Sequence, residues 1–83
     1  MQFLLLYRSL TYAQRAVRVL EKEHIPASVV RTPRTLNSRG CGYCAAVSGK
    51  NGPAAAAVMD RWELRPEKIF RHEDDGSIQE APL

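Results

Sequence analysis

The sequence lacks long hydrophobic runs, nucleotide-binding loops and the residue patterns of the common catalytic sites. No apolar stretch approaches the roughly 18–20 residues that a membrane-spanning helix needs, so we expect no membrane span. No Walker loop, dinucleotide fingerprint or catalytic-triad signature occurs. Aromatic residues make up only 7% of the chain, without the aromatic–basic octamer of RNA-recognition modules. We therefore do not expect nucleic acid as a partner.

The length and composition predict one small globular domain. The chain has 83 residues, of which 45% are hydrophobic and 25% charged, values typical of folded domains. This length excludes a two-domain cleft or a large multi-substrate active site. The formal charge of +3, carried mostly by arginine, is compatible with an anionic partner. Residues 1–8 lack the basic start and cleavage site of a signal peptide, so we expect a cytoplasmic location.

Hydrophobic periodicity predicts four strands and two helices. The strands are expected at residues 3–7, 27–32, 43–48 and 68–72, and the helices at residues 11–24 and 54–64. The resulting order, β-α-β-β-α-β, predicts an α+β fold: a ferredoxin-like sandwich with two helices on one face of a four-stranded antiparallel sheet. Residues 1–72 form the predicted domain, and residues 73–83 a polar, flexible C-terminal tail.

Two local patterns refine the helices. Thr11 and Gln14 have the spacing of a capping box, which predicts the start of the first helix. In the second helix, Trp62 falls on the apolar stripe with Val58 and Met59, so we expect its side chain to be buried.

The first strand is apolar on both faces. An open face of an antiparallel sheet normally alternates apolar with polar residues, but Phe3–Tyr7 does not. We therefore expect something to cover the second face of the sheet, and a second copy of the chain, giving a homodimer or larger homo-oligomer, is our hypothesis.

The chemical candidates lie in one glycine-rich segment that holds both cysteines. Gly40 and Gly42 flank Cys41, so its thiol should be accessible and the neighbouring backbone N–H groups could meet an anion. If residues 43–48 form a strand, the sheet fixes Cys44 while Cys41 stays in the loop. Cys41 is therefore the first candidate nucleophile and Cys44 the second.

Arginines surround this loop in the sequence. Arg34 and Arg39 lie closest to Cys41, and Arg31 slightly farther. Positive charge near a thiol favours the thiolate, which attacks sulfur and binds metals. We interpret Arg34, Arg39, Gly40 and Gly42 as substrate-binding residues around a reactive thiol.

The C-x-x-C pair has three interpretations. Thioredoxin-like redox chemistry is disfavoured, because no long helix begins at Cys41. A metal site is not expected within one chain, since only His24 and His72 could complete it, although zinc shared by two cysteine pairs across a dimer stays open. In the third interpretation Cys41 is the one reactive thiol. Cys44 then either resolves an adduct on Cys41 as a disulfide or has only a packing role.

The chain resembles a small bacterial family described as putative selenium/sulfur carrier protein-like. The resemblance covers residues 3–70 and is carried by an apolar first strand, the step His24-Ile25-Pro26, the pair Pro33-Arg34, and Cys41-Gly42 at the end of the loop. It implies that Cys41 holds sulfur or selenium as a persulfide-type adduct and passes it from a donor protein to an acceptor protein. The resemblance implies a carrier, not an enzyme, and no cofactor.

A second hypothesis comes from a different class of protein. The two-sided first strand also fits a homo-oligomeric interaction module, in which both cysteines are structural or share a metal.

Overall fold

The computed structural model describes residues 1–33 and 42–81. In chain order the elements are β1 (Gln2–Tyr7), α1 (Leu10–Lys22), β2 (Ala27–Arg31), β3 (Tyr43–Ser48), a short 3-10 turn (Gly49–Asn51), α2 (Gly52–Arg61), β4 (Lys68–His72) and β5 (Ile78–Glu80). The strands form one sheet in the order β2-β3-β1-β4-β5, and every neighbouring pair is antiparallel. The predicted α+β class with two helices is confirmed.

The sheet has five strands where the sequence predicted four. The additional strand, β5, pairs with β4 through the opposed residues His72 and Ile78, in the segment expected to be a polar tail. Its turn is closed by the Glu73 amide, which donates to the Ser77 carbonyl at 2.9 Å, and Gly76 supplies a left-handed φ of 91°. An edge strand with little to bury leaves no apolar signal, which is why periodicity missed it.

The first helix begins earlier than predicted. Ser9, not Thr11, is the N-cap, and its hydroxyl accepts a hydrogen bond from the Tyr12 amide at 3.3 Å. The predicted capping box of Thr11 and Gln14 is therefore wrong. The helix ends in a Schellman motif, in which His24 takes a left-handed φ of 64° and the Ile25 amide donates to the Leu20 carbonyl.

β1 is buried on both faces, as its composition predicted. On one face Phe3, Leu5 and Tyr7 pack in a cluster with residues of both helices. On the other face Leu4 and Leu6 are 3% and 8% exposed, and they form a second cluster with Cys44, Ala46 and Phe70. These side chains are already buried within the single chain, so burial of this face does not require a second subunit.

Trp62 is not in the core. It is the C-terminal cap of α2, and its side chain is 46% exposed, so the predicted burial is wrong. The helix ends at Arg61, so the stripe defined by Val58 and Met59 does not continue as far as Trp62.

The start of α2 lies directly against the first strand, and this contact predicts the cost of a small substitution. A methyl group at Gly52 would overlap the ring of Phe3, which is itself buried, whereas one at Gly49 would meet the flexible end of Met1. We expect Gly52→Ala to lower the free energy of unfolding by about 1–3 kcal/mol, despite the better helix propensity of alanine. Gly49→Ala is the matched control and should cost less. Equal urea-denaturation midpoints for both variants would contradict the overlap.

Candidate functional site

The residues predicted to form the site divide into two groups. Arg34, Arg39, Gly40 and Cys41 lie outside the described residues. Gly42 and Cys44 lie within them: Gly42 immediately precedes β3, and Cys44 lies inside it. We therefore describe the surroundings of the site from the residues on either side of Cys41 in the sequence, at the end of β2 and the start of β3.

β2 and β3 bring the two ends of this segment together. Arg31 and Tyr43 are opposed in the sheet, and the Thr32 amide donates a hydrogen bond to the Gly42 carbonyl at 3.2 Å. Gly42 is buried, and Cys41 immediately precedes it in the chain. We call this junction, formed by Thr32 and Gly42, the hairpin neck. It attaches Cys41 to a fixed point of the sheet.

Cys44 lies behind the hairpin neck. Its side chain is fully buried, its thiol is free, and Leu6 and Val30 oppose it on the neighbouring strands. The Sγ atom is 3.4 Å from the Oγ1 atom of Thr32, which is also buried. The thiol and the hydroxyl are both buried away from solvent, and each provides the other with a hydrogen-bond partner.

Burial changes the reactivity of Cys44. It raises the pKa of the Cys44 thiol above its usual value, and the hydrogen bond with Thr32 opposes this effect only in part. A thiol that stays protonated and inaccessible is a poor nucleophile. In this conformation Cys44 is therefore not a ready nucleophile.

No metal centre is formed by the described residues. Within residues 1–33 and 42–81, no three histidine, cysteine, aspartate or glutamate side chains cluster closely enough to hold an ion. His24 follows α1 and is exposed, and His72 ends β4. The described residues thus do not provide Cys44 with the further ligands that a metal site would need.

A cavity of about 230 Å³ opens at the same end of the sheet as the hairpin neck. Tyr7, which lines the cavity, is directly opposite Tyr43, the residue after Gly42. Seven residues line this loop-end cavity: Tyr7, Arg8, Tyr12, Glu63, Leu64, Arg65 and Glu67. The sequence assigned none of them a role, because they come from two parts of the chain, residues 7–12 and 63–67, that are far apart and share no motif.

Two buried residues of the loop-end cavity, which we call its floor, are joined by a hydrogen bond. Tyr7 and Leu64 are buried, and the Tyr7 hydroxyl donates to the Leu64 carbonyl at 2.6 Å. Burial raises the pKa of Tyr7 above its usual value, so this hydroxyl stays protonated. The bond ties the end of β1 to the connection between α2 and β4.

A family model described as "Putative Se/S carrier protein-like" matches residues 2–71. The chain belongs to this family. The match spans the whole hairpin of β2 and β3, including the hairpin neck and both cysteines of this Se/S carrier-family domain. No curated protein matches the chain, and no solved structure does. Among residues 1–33 and 42–81, no helix is both long and apolar enough to cross a bilayer.

The buried Cys44 predicts a pH dependence of stability. In the unfolded chain Cys44 ionises near the usual pKa of 9.0, whereas in the folded protein it stays protonated to higher pH. The unfolded state therefore loses its proton first, and the free energy of unfolding should fall as the pH rises above about 9. Urea denaturation under reducing conditions measures this fall. Cys44→Ala should have a flatter profile, and an equally steep profile in that variant would contradict the assignment.

Proposed function

We propose that this protein carries sulfur or selenium on Cys41 as a persulfide-type adduct. The observation that carries the proposal is the family match over residues 2–71, which include Cys41 and Gly42. The hairpin neck supports it, because it holds Gly42, the residue that follows Cys41, at a fixed point of the sheet. In this proposal Gly40 gives access to the thiol, whereas Gly42 is buried and anchors the segment, and Arg34 and Arg39 favour the thiolate form of Cys41.

The transfer step needs no external oxidant. The Cys41 thiolate attacks the outer sulfur of a persulfide on a donor protein, so that a new sulfur–sulfur bond forms at Cys41 as the donor's bond breaks. The donor cysteine leaves as a thiolate and takes up a proton. An acceptor thiolate removes the outer sulfur from Cys41 in the same way. The protein returns to its starting state through donor and acceptor partners and turns over no substrate alone, so it is not an enzyme.

Cys44 has a separate role in this scheme. Its burial and raised pKa support Cys41 as the carrier residue. If the hairpin neck opens, the Cys44 thiolate can attack the inner sulfur of the Cys41 adduct. A disulfide then forms and the outer sulfur leaves as hydrosulfide, reduced by the two electrons that the cysteines lose.

The proposal extends to the fold and the location of the protein. We propose that β1–β4 and both helices form a ferredoxin-like unit over residues 1–72, which β5 extends at one edge. We also propose a cytoplasmic location, where thiols are kept reduced and a carrier thiol remains usable.

A homo-oligomeric interaction module is the second candidate function. The complete burial of Cys44 in an apolar cluster favours it, because a free cysteine in such a place acts as a small hydrophobic residue. In this alternative, replacing both cysteines by serine should leave self-association intact and lower only stability.

Mass spectrometry after loading separates the two candidates. The wild-type protein, Cys41→Ser and Cys44→Ala are each treated with inorganic polysulfide, and their intact masses are measured before and after reduction. We expect the wild type and Cys44→Ala to gain sulfur that reduction removes, and Cys41→Ser to gain none. Equal loading of Cys41→Ser would overturn the carrier assignment. Release of hydrosulfide by the wild type, with formation of the disulfide and not in Cys44→Ala, would identify Cys44 as the resolving cysteine.

A further inference from the structure

The loop-end cavity is the size of a small metabolite site. Its volume of about 230 Å³ lies below the roughly 300–1,000 Å³ of sites for drug-sized ligands, so a ligand of few heavy atoms fits. The floor, formed by Tyr7 and Leu64, is buried and held by their hydrogen bond. The rim carries charged side chains of both signs.

Glu63 on this rim keeps an unfavourable backbone conformation. It follows the C-terminal cap of α2 with a left-handed φ of 57°, and the Leu64 amide donates to the Met59 carbonyl in the pattern of a Schellman motif. Glycine suits this position best, because a side chain is disfavoured at a left-handed φ. A glutamate at this position therefore supplies the cavity with a carboxylate at the expense of stability.

Some charged side chains on the rim of the cavity have a close partner of opposite charge, and others do not. Arg65 is engaged by the Asp60 carboxylate, which lies outside the cavity. Arg8 meets Glu67 only at 3.7 Å, well beyond the roughly 2.7–2.9 Å of a charge-assisted hydrogen bond. Among the described residues, Glu63 forms no ion pair. The Arg8 guanidinium and the Glu63 carboxylate, which line the same cavity, are thus available to a ligand.

We propose that the loop-end cavity binds a free α-amino acid. The Glu63 carboxylate accepts hydrogen bonds from the ligand's ammonium group, the Arg8 guanidinium donates to its carboxylate, and its side chain lies over Tyr7 and Leu64. A simple anion would meet Glu63 and Glu67, and a simple cation would meet Arg8 and Arg65, so each is opposed by a like charge. A small zwitterion satisfies both sides.

The identity of the amino acid rests on the proposed function. The cavity lies at the end of the sheet where the hairpin neck attaches Cys41, through the opposed residues Tyr7 and Tyr43. If the protein carries sulfur, we expect the amino acid bound in the cavity beside the hairpin neck to be L-cysteine. The binding of an amino acid as such does not depend on sulfur transfer.

Binding is tested by NMR titration of the full chain under reducing conditions. The ligands are L-cysteine, L-serine, cysteamine, which lacks the carboxylate, and 3-mercaptopropionate, which lacks the ammonium group. We expect saturable shifts at cavity residues with both amino acids, and affinities at least about tenfold weaker for the two thiols that have one charge, since one charge-assisted hydrogen bond supplies about that factor. Failure of both amino acids to bind, or equal affinity for cysteamine, would overturn the proposal.

Two glycine variants give a matched comparison. Glu63→Gly and His24→Gly relieve the same left-handed position at the ends of α2 and α1, so both should raise the melting temperature. Only Glu63→Gly removes a cavity carboxylate, and it should weaken L-cysteine binding at least about tenfold while His24→Gly leaves it unchanged. Unchanged affinity in Glu63→Gly would refute the assigned contact.

Sulfur loading is measured separately from amino-acid binding. Cys41→Ser should bind L-cysteine like the wild type even though it accepts no sulfur from polysulfide. If instead Cys41→Ser loads with sulfur normally, the proposed carrier function fails while the cavity proposal stands. Loss of L-cysteine binding in folded Cys41→Ser would count against the cavity proposal, because the proposed charged contacts are made by Glu63 and Arg8 and not by Cys41.

Discussion

The pairing of β1 with β3 on one side and β4 on the other is the constraint on which the rest of the structure depends. β1 is the central strand, and its successive side chains contribute to two separate clusters, one beneath the helices and one on the opposite face. Burying an apolar side chain of this size contributes about 1.5–3 kcal/mol. Because a small domain is stable by only about 5–15 kcal/mol in total, loss of any one of these buried side chains would remove a substantial part of the stability of this chain.

The register of β1 also determines which functional elements meet. Its last residue, Tyr7, opposes Tyr43 at the start of β3, so the hairpin neck and the loop-end cavity share one end of the sheet. The same residue binds the connection after α2 through the carbonyl of Leu64. A shift of the strand by one residue would exchange the two clusters and separate these elements. The candidate site thus depends on the packing of the strand more than on any local motif.

Strong periodicity made the main elements predictable from the sequence, whereas features set by single backbone contacts were not. Strands β1–β4 and both helices follow apolar patterns, and β1 showed its two buried faces as an uninterrupted run. β5 escaped prediction because an exposed edge strand needs no such pattern. Trp62 was misassigned because the helix ends one residue before it. The loop-end cavity could not be foreseen, since residues 7–12 and 63–67 are distant in the sequence and meet only in the folded chain.

The hairpin neck separates the sheet from the segment it presents. The hydrogen bond between Thr32 and Gly42 and the pairing of Arg31 with Tyr43 close the connection at its base. Closing a longer connection costs little, about 0.6 kcal/mol for each doubling of its length. This connection is therefore a suitable place to graft a foreign peptide, which would extend from the paired ends of β2 and β3.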